Sequence, residues 1–169
     1  EHKTAPYIEH SEFQVVRTNN VKNGRLHYDD IKYTTNEGYI DWTKRETPSY
    51  GDILFTREAP AGEACSVPKD KLVCLGQRMV LLKPNHSIIY STFLLWFLQS
   101  GIGRRSIQHF IIGTTVTRIN IKDIYQLYCP IPTLSEQQKI ATFLSSVDAK
   151  IQQLSKKKSL LEDYKKGVM

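Results

Sequence analysis

The clearest pattern along the chain is a heptad repeat of apolar side chains in residues 135–169. Apolar residues follow one another there in steps of four and three, at Ile140, Leu144, Val147, Ile151, Leu154, Leu161 and Val168. A strip that repeats every 3.5 residues favours packing against a partner helix. Lys158 and Lys165 fall on the two remaining strip positions. Ser135 and Gln138 have the spacing of a capping box, which predicts a helix that starts at Ser135, after the prolines at 130 and 132.

This helix has two interpretations. A helix from Ser135 to Lys166 would be roughly 48 Å long at 1.5 Å per residue, so it would extend beyond a domain of this size. Its apolar strip would then dimerise with a second helix. The alternative is an amphipathic helix that folds back onto its own domain.

The body of the chain alternates short apolar runs with turns. Val15-Val16 predicts a strand that leads through a polar loop to a turn at Asn23-Gly24. The run Ile53 to Phe55 predicts a short buried strand, and residues 72–84 predict a central strand that is apolar on both faces. Ser91 to Ser100 predicts a core helix that ends at Gly101. We therefore expect an α/β (mixed α+β) domain with a long C-terminal coiled-coil-type helix.

Side chains suited to DNA contact gather in several segments of this body. Arginine and asparagine can read base edges, and arginine, lysine and hydroxyl groups can bind phosphates. The candidates are Arg17, Asn19, Asn20, Lys22, Arg57, Arg78, Arg104, Arg105, Thr114, Thr115 and Arg118.

Structural alternatives remain open for several of these residues. Arg57 could form a local salt bridge with Glu58 or Glu63, and Arg78 could form a buried ion pair with Asp52 or Glu58. The Asn-Gly turn and part of residues 113–118 could be turns without any binding role. We interpret Gln77 as structural.

The overall charge is compatible with a nucleic-acid partner but does not establish one. Lys and Arg total 23 against 17 acidic residues, which gives a net charge of +6. A surplus of this size also occurs in proteins that never bind nucleic acid.

Cysteine and histidine usage argues against a disulfide framework or a metal site. The three cysteines include no C-x-x-C pair, which is typical of a reducing cytosol, and the five histidines are scattered.

The longest apolar run, Ile88 to Leu98, is too short to span a bilayer. We expect a cytoplasmic protein.

Two stretches resemble a known family. Pro-Ile-Pro at 130–132, Glu-Gln-Gln-Lys-Ile-Ala at 136–141, Val147-Asp148 and a Lys-rich helix with Leu160-Leu161 are similar to the conserved region of specificity subunits of Type I restriction-modification enzymes. Residues 51–63 (Gly-Asp-Ile-Leu-Phe-Thr-Arg-Glu-Ala-Pro-Ala-Gly-Glu) resemble one version of their target-recognition domains. In these domains a Gly-Thr turn precedes the final strand, which would be Ile119 to Leu127 here.

The resemblance implies a division of labour. Residues 1–132 would form a target-recognition domain that reads one half of a split site in double-stranded DNA, and residues 133–169 a spacer and dimerisation helix. Complete subunits of the family carry two such units, so the chain would be a half-length subunit that forms a homodimer, or a fragment. Methyltransferase (modification) and restriction/translocase subunits would dock on the assembly. S-adenosylmethionine, ATP and Mg would belong to those partners, and this chain would bind no cofactor.

The sequence contains no familiar catalytic motif. A Gly-rich loop followed by Lys and Ser or Thr is absent, as is an Asn-Pro-Pro-Tyr or Asp-Pro-Pro-Tyr segment. We therefore expect a chain that recognises DNA and catalyses no reaction. A competing hypothesis is a protein-interaction adaptor in which the helix binds one partner and the basic domain another.

Overall fold

Residues 5–168, which a computed structural model describes, form short strands packed between helices and one long final helix. The strands are Phe13–Val16 (β1), Val21–Lys22 (β2), Arg25–Leu26 (β3), Lys32–Tyr33 (β4), Ile53–Thr56 (β5), Ala64–Ser66 (β6), Leu72–Leu75 (β7) and Met79–Leu82 (β8). The helices are Asn36–Thr43 (α1), Ser91–Gln99 (α2), Gly101–Phe110 (α3), Ile121–Ile124 (α4) and Leu134–Val168 (α5). This mixed α/β architecture with a long C-terminal helix confirms the predicted fold class.

Two three-stranded sheets form the centre of the body. The first has the order β4-β1-β7, with β1 antiparallel to β4 and parallel to β7. The second has the order β6-β5-β8 and is antiparallel throughout. Val16 and Val73 of the first sheet share one apolar cluster with Leu54 and Cys65 of the second. The two sheets therefore pack face to face.

Alternation along the strands adds a helical layer outside each sheet. Ile53 and Phe55 of β5 point away from Leu54 and pack in a cluster with residues of α2, α3 and α4. On the other side of the molecule, Val15 of β1 packs with Tyr39 and Trp42 of α1. The layers are thus α1, the first sheet, the second sheet, and the α2–α4 layer. The predicted buried strand at Ile53 to Phe55 is confirmed, and it is buried on both faces.

The predicted turn at Asn23-Gly24 is also confirmed. β2 and β3 pair through Val21 with Leu26 and Lys22 with Arg25, which leaves the two turn residues at φ 50° and 78°. Positive φ at both positions is what a two-residue hairpin requires. Glycine suits the second turn position because other residues rarely adopt its φ of 78°, and a Cβ there would also displace the flexible side-chain amide of Gln99.

Two local predictions were wrong. Residues 72–84 form two strands in different sheets, because the chain turns at Gly76-Gln77-Arg78 and crosses from β7 to β8. Residues 119–127 contain helix α4 where a final strand was expected. The core helix predicted at Ser91 to Ser100 is confirmed as α2, and a separate helix, α3, begins directly after it, where the Ser100 hydroxyl accepts a hydrogen bond from the Gly103 N–H (3.0 Å).

Helix α5 begins one residue earlier than predicted and is capped by different residues. Thr133 lies just before it, and the Thr133 Oγ1 accepts a hydrogen bond from the Glu136 N–H at 3.4 Å. The Glu136 carboxylate accepts bonds from the Thr133 N–H (2.9 Å) and hydroxyl (2.7 Å). Hydrogen bonds from Thr133 lower the pKa of Glu136 below its ordinary value. The capping box is therefore Thr133 with Glu136, two residues before the predicted pair.

The rest of α5 is long and polar. Its 35 residues correspond to about 52 Å. No helix within residues 5–168 is both long and apolar enough to cross a membrane.

We predict that Thr133→Ala destabilises the chain by about 1 kcal/mol, the usual cost of losing an N-cap side chain. Ser135→Ala, the matched change at the position that the sequence alone suggested, should leave the free energy of unfolding within about 0.5 kcal/mol of its original value. Urea unfolding followed by circular dichroism measures both. Equal effects of the two substitutions would contradict the assigned cap.

Candidate nucleic-acid interface

Three predicted arginines meet at one cleft of about 970 Å³. Arg57 follows β5, Arg78 lies in the turn between β7 and β8, and Arg118 precedes the buried Ile119. These residues are up to 61 positions apart in sequence (118 minus 57). The fold therefore builds one basic surface from three separate segments.

Main-chain hydrogen bonds hold the three segments together. The Arg57 N–H donates to the Arg78 carbonyl (2.8 Å), and the Ile119 N–H donates to the Arg57 carbonyl (2.9 Å). The Ala59 N–H also donates to the Thr117 carbonyl (3.1 Å). Because these contacts involve only the backbone, the guanidinium groups remain available for other partners.

The three arginines differ in their ionic partners. Arg78 pairs with Glu58, with 3.3 Å between Nε and Oε1, and its side chain is 49% exposed. Glu58 was one of its expected partners, although the pair is not buried. Within residues 5–168, the Arg57 and Arg118 side chains make no salt bridge or hydrogen bond, so the expected bridge from Arg57 to Glu58 or Glu63 is not formed. Among residues 5–168, the cleft thus presents two guanidinium groups without an ionic or hydrogen-bond partner.

Arg78 has an unusual backbone conformation. Its φ is 67°, in the left-handed region that side chains other than glycine rarely adopt. Such a residue costs roughly 1–3 kcal/mol, and positions of this kind cluster at functional sites. The bond from the Arg57 N–H to the Arg78 carbonyl helps to hold this turn at the cleft.

Helix α1 supplies basic residues that the sequence reasoning missed. Lys44 and Arg45 follow the end of α1 and line the same cleft, beside Trp42. Lys44 pairs with Asp41. Two adjacent basic residues after the Thr35-capped segment were the available signal, but nothing local indicated that α1 packs over β7 at the cleft.

The segment from Arg17 to Asn20 borders this cleft. Gly76, which lines the cleft, lies directly beside Arg17, because a Cβ at Gly76 would be 2.9 Å from Arg17 Cγ. The Thr18 hydroxyl donates to the Ala59 carbonyl at 3.3 Å. The structure therefore brings Arg17 together with Arg57, Arg78 and Arg118.

Two polar side chains of this segment, Arg17 and Asn19, are hydrogen-bonded to Asp30. Arg17 Nη2 donates to the Asp30 carboxylate and carbonyl, both at 2.6 Å, and the Asn19 amide donates to the same carboxylate at 3.3 Å. Lys32 lies 2.8 Å from it. Hydrogen bonds from Lys32 and Arg17 lower the pKa of Asp30 to about 2. Arg17 and Asn19 would have to leave Asp30 before they could contact DNA.

Asn20 and Lys22 differ in exposure: Asn20 is buried, whereas Lys22 is exposed. Asn20 is 2% exposed, and its amide group bonds the Arg17 N–H (3.0 Å) and the His27 carbonyl (3.2 Å). This arrangement favours a structural role for Asn20. Lys22 lies exposed on β2, where it can reach a phosphate.

Arg104 makes structural contacts within the chain. Its Nη1 donates to the Gly62 carbonyl (3.0 Å) and to Glu63 Oε1 (2.8 Å), while Glu63 Oε2 accepts the Asn23 N–H (2.8 Å). Burial raises the pKa of Glu63, but the bonds from Arg104 and the Asn23 N–H outweigh it, so the net pKa lies below its ordinary value. Arg104 thereby connects α3 to the β2–β3 turn.

Arg105, Thr114 and Thr115 are exposed, as a contact with DNA requires. The two threonines lie in a loop whose ends are tied by reciprocal bonds between Ile112 and Arg118 (2.8 and 2.9 Å). Gly113, with φ at 90°, is required in this loop, since a Cβ there would lie 2.5 Å from the Val116 carbonyl oxygen. The loop can therefore present its hydroxyls beside the cleft.

The predicted apolar strip on α5 is largely uncovered. Ile140, Val147, Ile151, Leu154 and Leu161 are 41–57% exposed, and Leu144 is half-buried. Lys158, at a strip position, lies 3.8 Å from Glu162 on the same helix. An apolar groove of about 610 Å³ at the base of the helix is lined by Trp96, Ile131, Ile140 and Leu144, among other residues.

The described part of the chain contains no group of three or more His, Cys, Asp or Glu side chains that could hold a metal ion. The three thiols are uncombined, and burial raises the pKa of Cys65 to about 12 and of Cys74 to about 11.

Comparison with known proteins gives a consistent result. The family model described as the Type I restriction modification DNA specificity domain matches residues 3–163. A protein of Methanocaldococcus jannaschii described as the type I restriction enzyme MjaX specificity subunit is 32% identical over 146 residues, which cover 80% of this chain and 34% of that protein. The MjaVIII specificity subunit of the same organism is 24% identical over 99% of this chain and 41% of its own length. The chain therefore spans about a third to two fifths of these relatives.

Solved structures show the same fold. The HsdS subunit of Thermoanaerobacter tengcongensis has a TM-score of 0.63 at 15% identity, covering 89% of this chain and 41% of that one. A chain from a structure of a type I R-M system has a TM-score of 0.65 at 16% identity, covering 85% and 37%. At these identities the likeness concerns the fold.

We predict that Asp30 titrates at about 2 and that Lys32→Gln or Arg17→Gln raises this pKa towards its ordinary value of 3.8, because each removes a cation that favours the carboxylate. Since the folded pKa is lowered, the stability that Asp30 contributes is complete above about 4 and is lost as the pH falls through about 2. An NMR titration of the side-chain carboxyl carbons measures the pKa. An Asp30 pKa that is unchanged in both variants would contradict the ion pairs.

Proposed function

The chain belongs to the family of Type I restriction modification DNA specificity domains, and from this premise we propose that it reads one half of a bipartite site in double-stranded DNA. The cleft is the reading surface, and helix α5 is the spacer that connects it to a second reading unit. Specificity subunits of this family are non-catalytic, so the chain selects the sequence on which partner subunits act.

The observation that carries this proposal is that the guanidinium groups of Arg57 and Arg118 at the cleft have no ionic or hydrogen-bond partner within the described part of the chain. Arginine can donate two hydrogen bonds to the O6 and N7 atoms of guanine in the major groove. Such a contact needs a side chain that is free of internal partners and a backbone that does not move. Arg57 and Arg118 combine both properties. Lys22, Arg105 and the loop that carries Thr114 and Thr115 are exposed and are suited to phosphates. Arg78 can contribute once DNA replaces Glu58.

The exposed strip on α5 supports pairing with a second helix. Large apolar side chains that are more than 40% exposed along one helix face are an unburied coiled-coil surface. Residues 1–132 then form the recognition domain and residues 133–169 the spacer. The second helix belongs either to another copy in a homodimer or to a second unit of a longer subunit. In both cases two half-sites would be read across an unread gap.

The remaining assignments follow from the family. Methyltransferase and restriction subunits would dock on the paired unit in the cytoplasm and would carry S-adenosylmethionine, ATP and Mg. The adaptor alternative explains the exposed helix equally well, but it gives no reason for two cleft arginines whose side chains have no ionic or hydrogen-bond partner among residues 5–168.

We predict that Arg57→Ala changes sequence preference. The assembled protein, with its modification subunit, should select one bipartite sequence from a pool of random duplexes and lose affinity steeply as salt rises. Arg57→Ala should relax the preference at one base pair by about 5- to 150-fold, the range of 1–3 kcal/mol for a bidentate base contact. Selection followed by binding titrations gives both quantities.

Lys71→Ala is the matched control for this test. Lys71 is exposed directly before β7, at the end of that strand opposite to the cleft, so its loss should leave the selected sequence unchanged. If Arg57→Ala weakened cognate and random duplexes equally, Arg57 would not be a base reader. If no sequence were selected at any salt concentration, the adaptor alternative would be favoured.

We predict that Leu154→Asp prevents pairing through α5. Leu154 lies on the apolar strip, and an uncompensated charge buried there costs roughly 3–5 kcal/mol, so the dissociation constant should rise by about 100-fold or more. Analytical ultracentrifugation should show the mass of the unpaired unit. Ser155→Asp places the same charge at the next position, outside the strip, and should leave the mass unchanged. An unchanged mass in Leu154→Asp would contradict the pairing surface.

A further inference from the structure

Helix α5 is attached to the body only near its base. Within residues 5–168, every side-chain hydrogen bond and ion pair between α5 and the body uses Gln137, Ser145 or Asp148. The first and last of these residues are 11 positions apart (148 minus 137), or about 16 Å along the helix. The next 20 residues, to Val168, extend about 30 Å further. The direction of the whole helix therefore depends on a short attached part.

Gln137 is the pivot of this attachment. It is 0% exposed, and its Oε1 accepts the Tyr90 N–H at 2.7 Å. Its Nε2 donates to the carbonyls of Ile88 and Pro132, both at 2.9 Å. One amide thus connects the first turn of α5 to the start of α2 and to the proline segment that precedes α5. A single fixed point does not, however, set a direction.

A second contact lies two turns further along. The Trp96 Nε1–H donates to the Ser145 hydroxyl at 3.1 Å, so α2 and α5 are joined again. Both of these contacts involve the segment that contains α2. They connect α5 to this one segment, which itself packs on β5 through Phe97 and Leu98.

The third contact comes from a different part of the body. Arg25 Nη2 lies 2.8 and 2.7 Å from the two oxygens of Asp148, and Gln152 Nε2 donates to the same carboxylate at 2.7 Å. Gln152 therefore orients the Asp148 carboxylate, and both of its oxygens accept hydrogen bonds from Arg25 Nη2. The partners are 123 residues apart in sequence.

The hairpin that carries Arg25 is itself anchored to the core. Gly24 forms a bridge with the buried Cys65 of β6, and the Asn23 N–H bonds Glu63. Glu63 in turn is held by Arg104 of α3. The ion pair from Arg25 to Asp148 is thus a strut between the second sheet and α5.

We propose that Arg25 and Asp148 are positioning residues that set the direction of α5 and thereby the length of the gap between half-sites that the paired protein accepts. This inference rests on the proposed function. The two residues act through the helix and contact no base.

The geometry amplifies small changes at the strut. If α5 tilts about Gln137, a displacement at Asp148 is multiplied at Val168 by the ratio of 31 to 11 residues, which is about 2.8. A movement of about 1 Å at the strut therefore becomes about 3 Å at the far end. One base pair adds about 3.4 Å along DNA. Loss of the strut should therefore change whether the paired protein accepts gaps that are one base pair longer or shorter than the preferred gap.

The same contact should contribute little to folding stability. The Arg25 and Asp148 side chains are 44% and 34% exposed, and ion pairs at such positions are weak. A change in gap preference without a change in unfolding midpoint therefore separates a positioning role from a merely structural one.

The test measures binding of the assembled protein to duplexes that contain the selected half-sites with gaps one base pair shorter, equal and one base pair longer. The original protein should prefer one gap length. Arg25→Gln and Asp148→Asn should each reduce this preference by about two- to fivefold, the size of exposed ion-pair couplings. The charge-swapped double variant Arg25→Glu with Asp148→Arg should restore it.

Asp163→Asn is the matched control, because it removes the same charge from the exposed, unattached part of α5. Its gap preference should equal that of the original protein. An unchanged preference in Arg25→Gln and Asp148→Asn would overturn the inference, and so would an equal loss of affinity at all gap lengths. If the original protein selects no sequence, the proposed function fails instead.

A distance measurement tests the strut without DNA. Spin labels on the exposed Lys69 of the body and on Lys166 of the helix, which lies outside the apolar strip, report the helix direction by pulsed electron resonance in the cysteine-substituted full chain. The distance distribution should broaden in Asp148→Asn and narrow again in the charge-swapped variant. Identical distributions in all variants would overturn the inference.

Discussion

The burial of β5 on both faces is the constraint on which the rest of the structure depends. Ile53 and Phe55 face the helical layer, Leu54 faces the first sheet, and all three are completely buried. Where β5 ends, Thr56 closes the next loop: its hydroxyl accepts the Glu63 N–H at 2.9 Å, and its carbonyl accepts the Gly62 N–H at 2.8 Å. Arg57 leaves the core directly after this closed point. A strand that is buried along its whole length is thus followed directly by an arginine of the cleft.

The arginines show why positive charge alone does not identify a nucleic-acid interface. Arg17 and Arg104 carry the same charge as Arg57, yet each forms a salt bridge with a carboxylate of the same chain. Removing one of them would disturb a loop as well as any contact with DNA. A base reader needs the opposite arrangement, in which the backbone is bonded and the side chain is not. Arg57 and Arg118 have this arrangement.

Patterns within one segment were sufficient to predict much of the fold. The heptad strip, the Asn23-Gly24 hairpin and the apolar run of β5 each depend on neighbours in sequence, and all three were found. The division of residues 72–84 depends on which sheet each half joins, so periodicity could not reveal it. Thr133 with Glu136 and Ser135 with Gln138 both have the sequence spacing of a capping box, and only the structure shows that the first pair forms it. The cleft and the Arg25–Asp148 contact join residues that are far apart in sequence, and no local signal marks such pairs.

The loop between Ile112 and Arg118 has a consequence for how new specificities arise. Its two ends are closed by their own reciprocal hydrogen bonds, and residues 113–116 are exposed. A surface loop with closed ends can change in sequence and length at little cost to the core, because loop-closure entropy varies slowly with length. Inheritable variation can therefore accumulate beside the cleft while β5 and the spacer helix stay as they are. The fold separates the part that must remain constant for assembly from a part that is free to diverge.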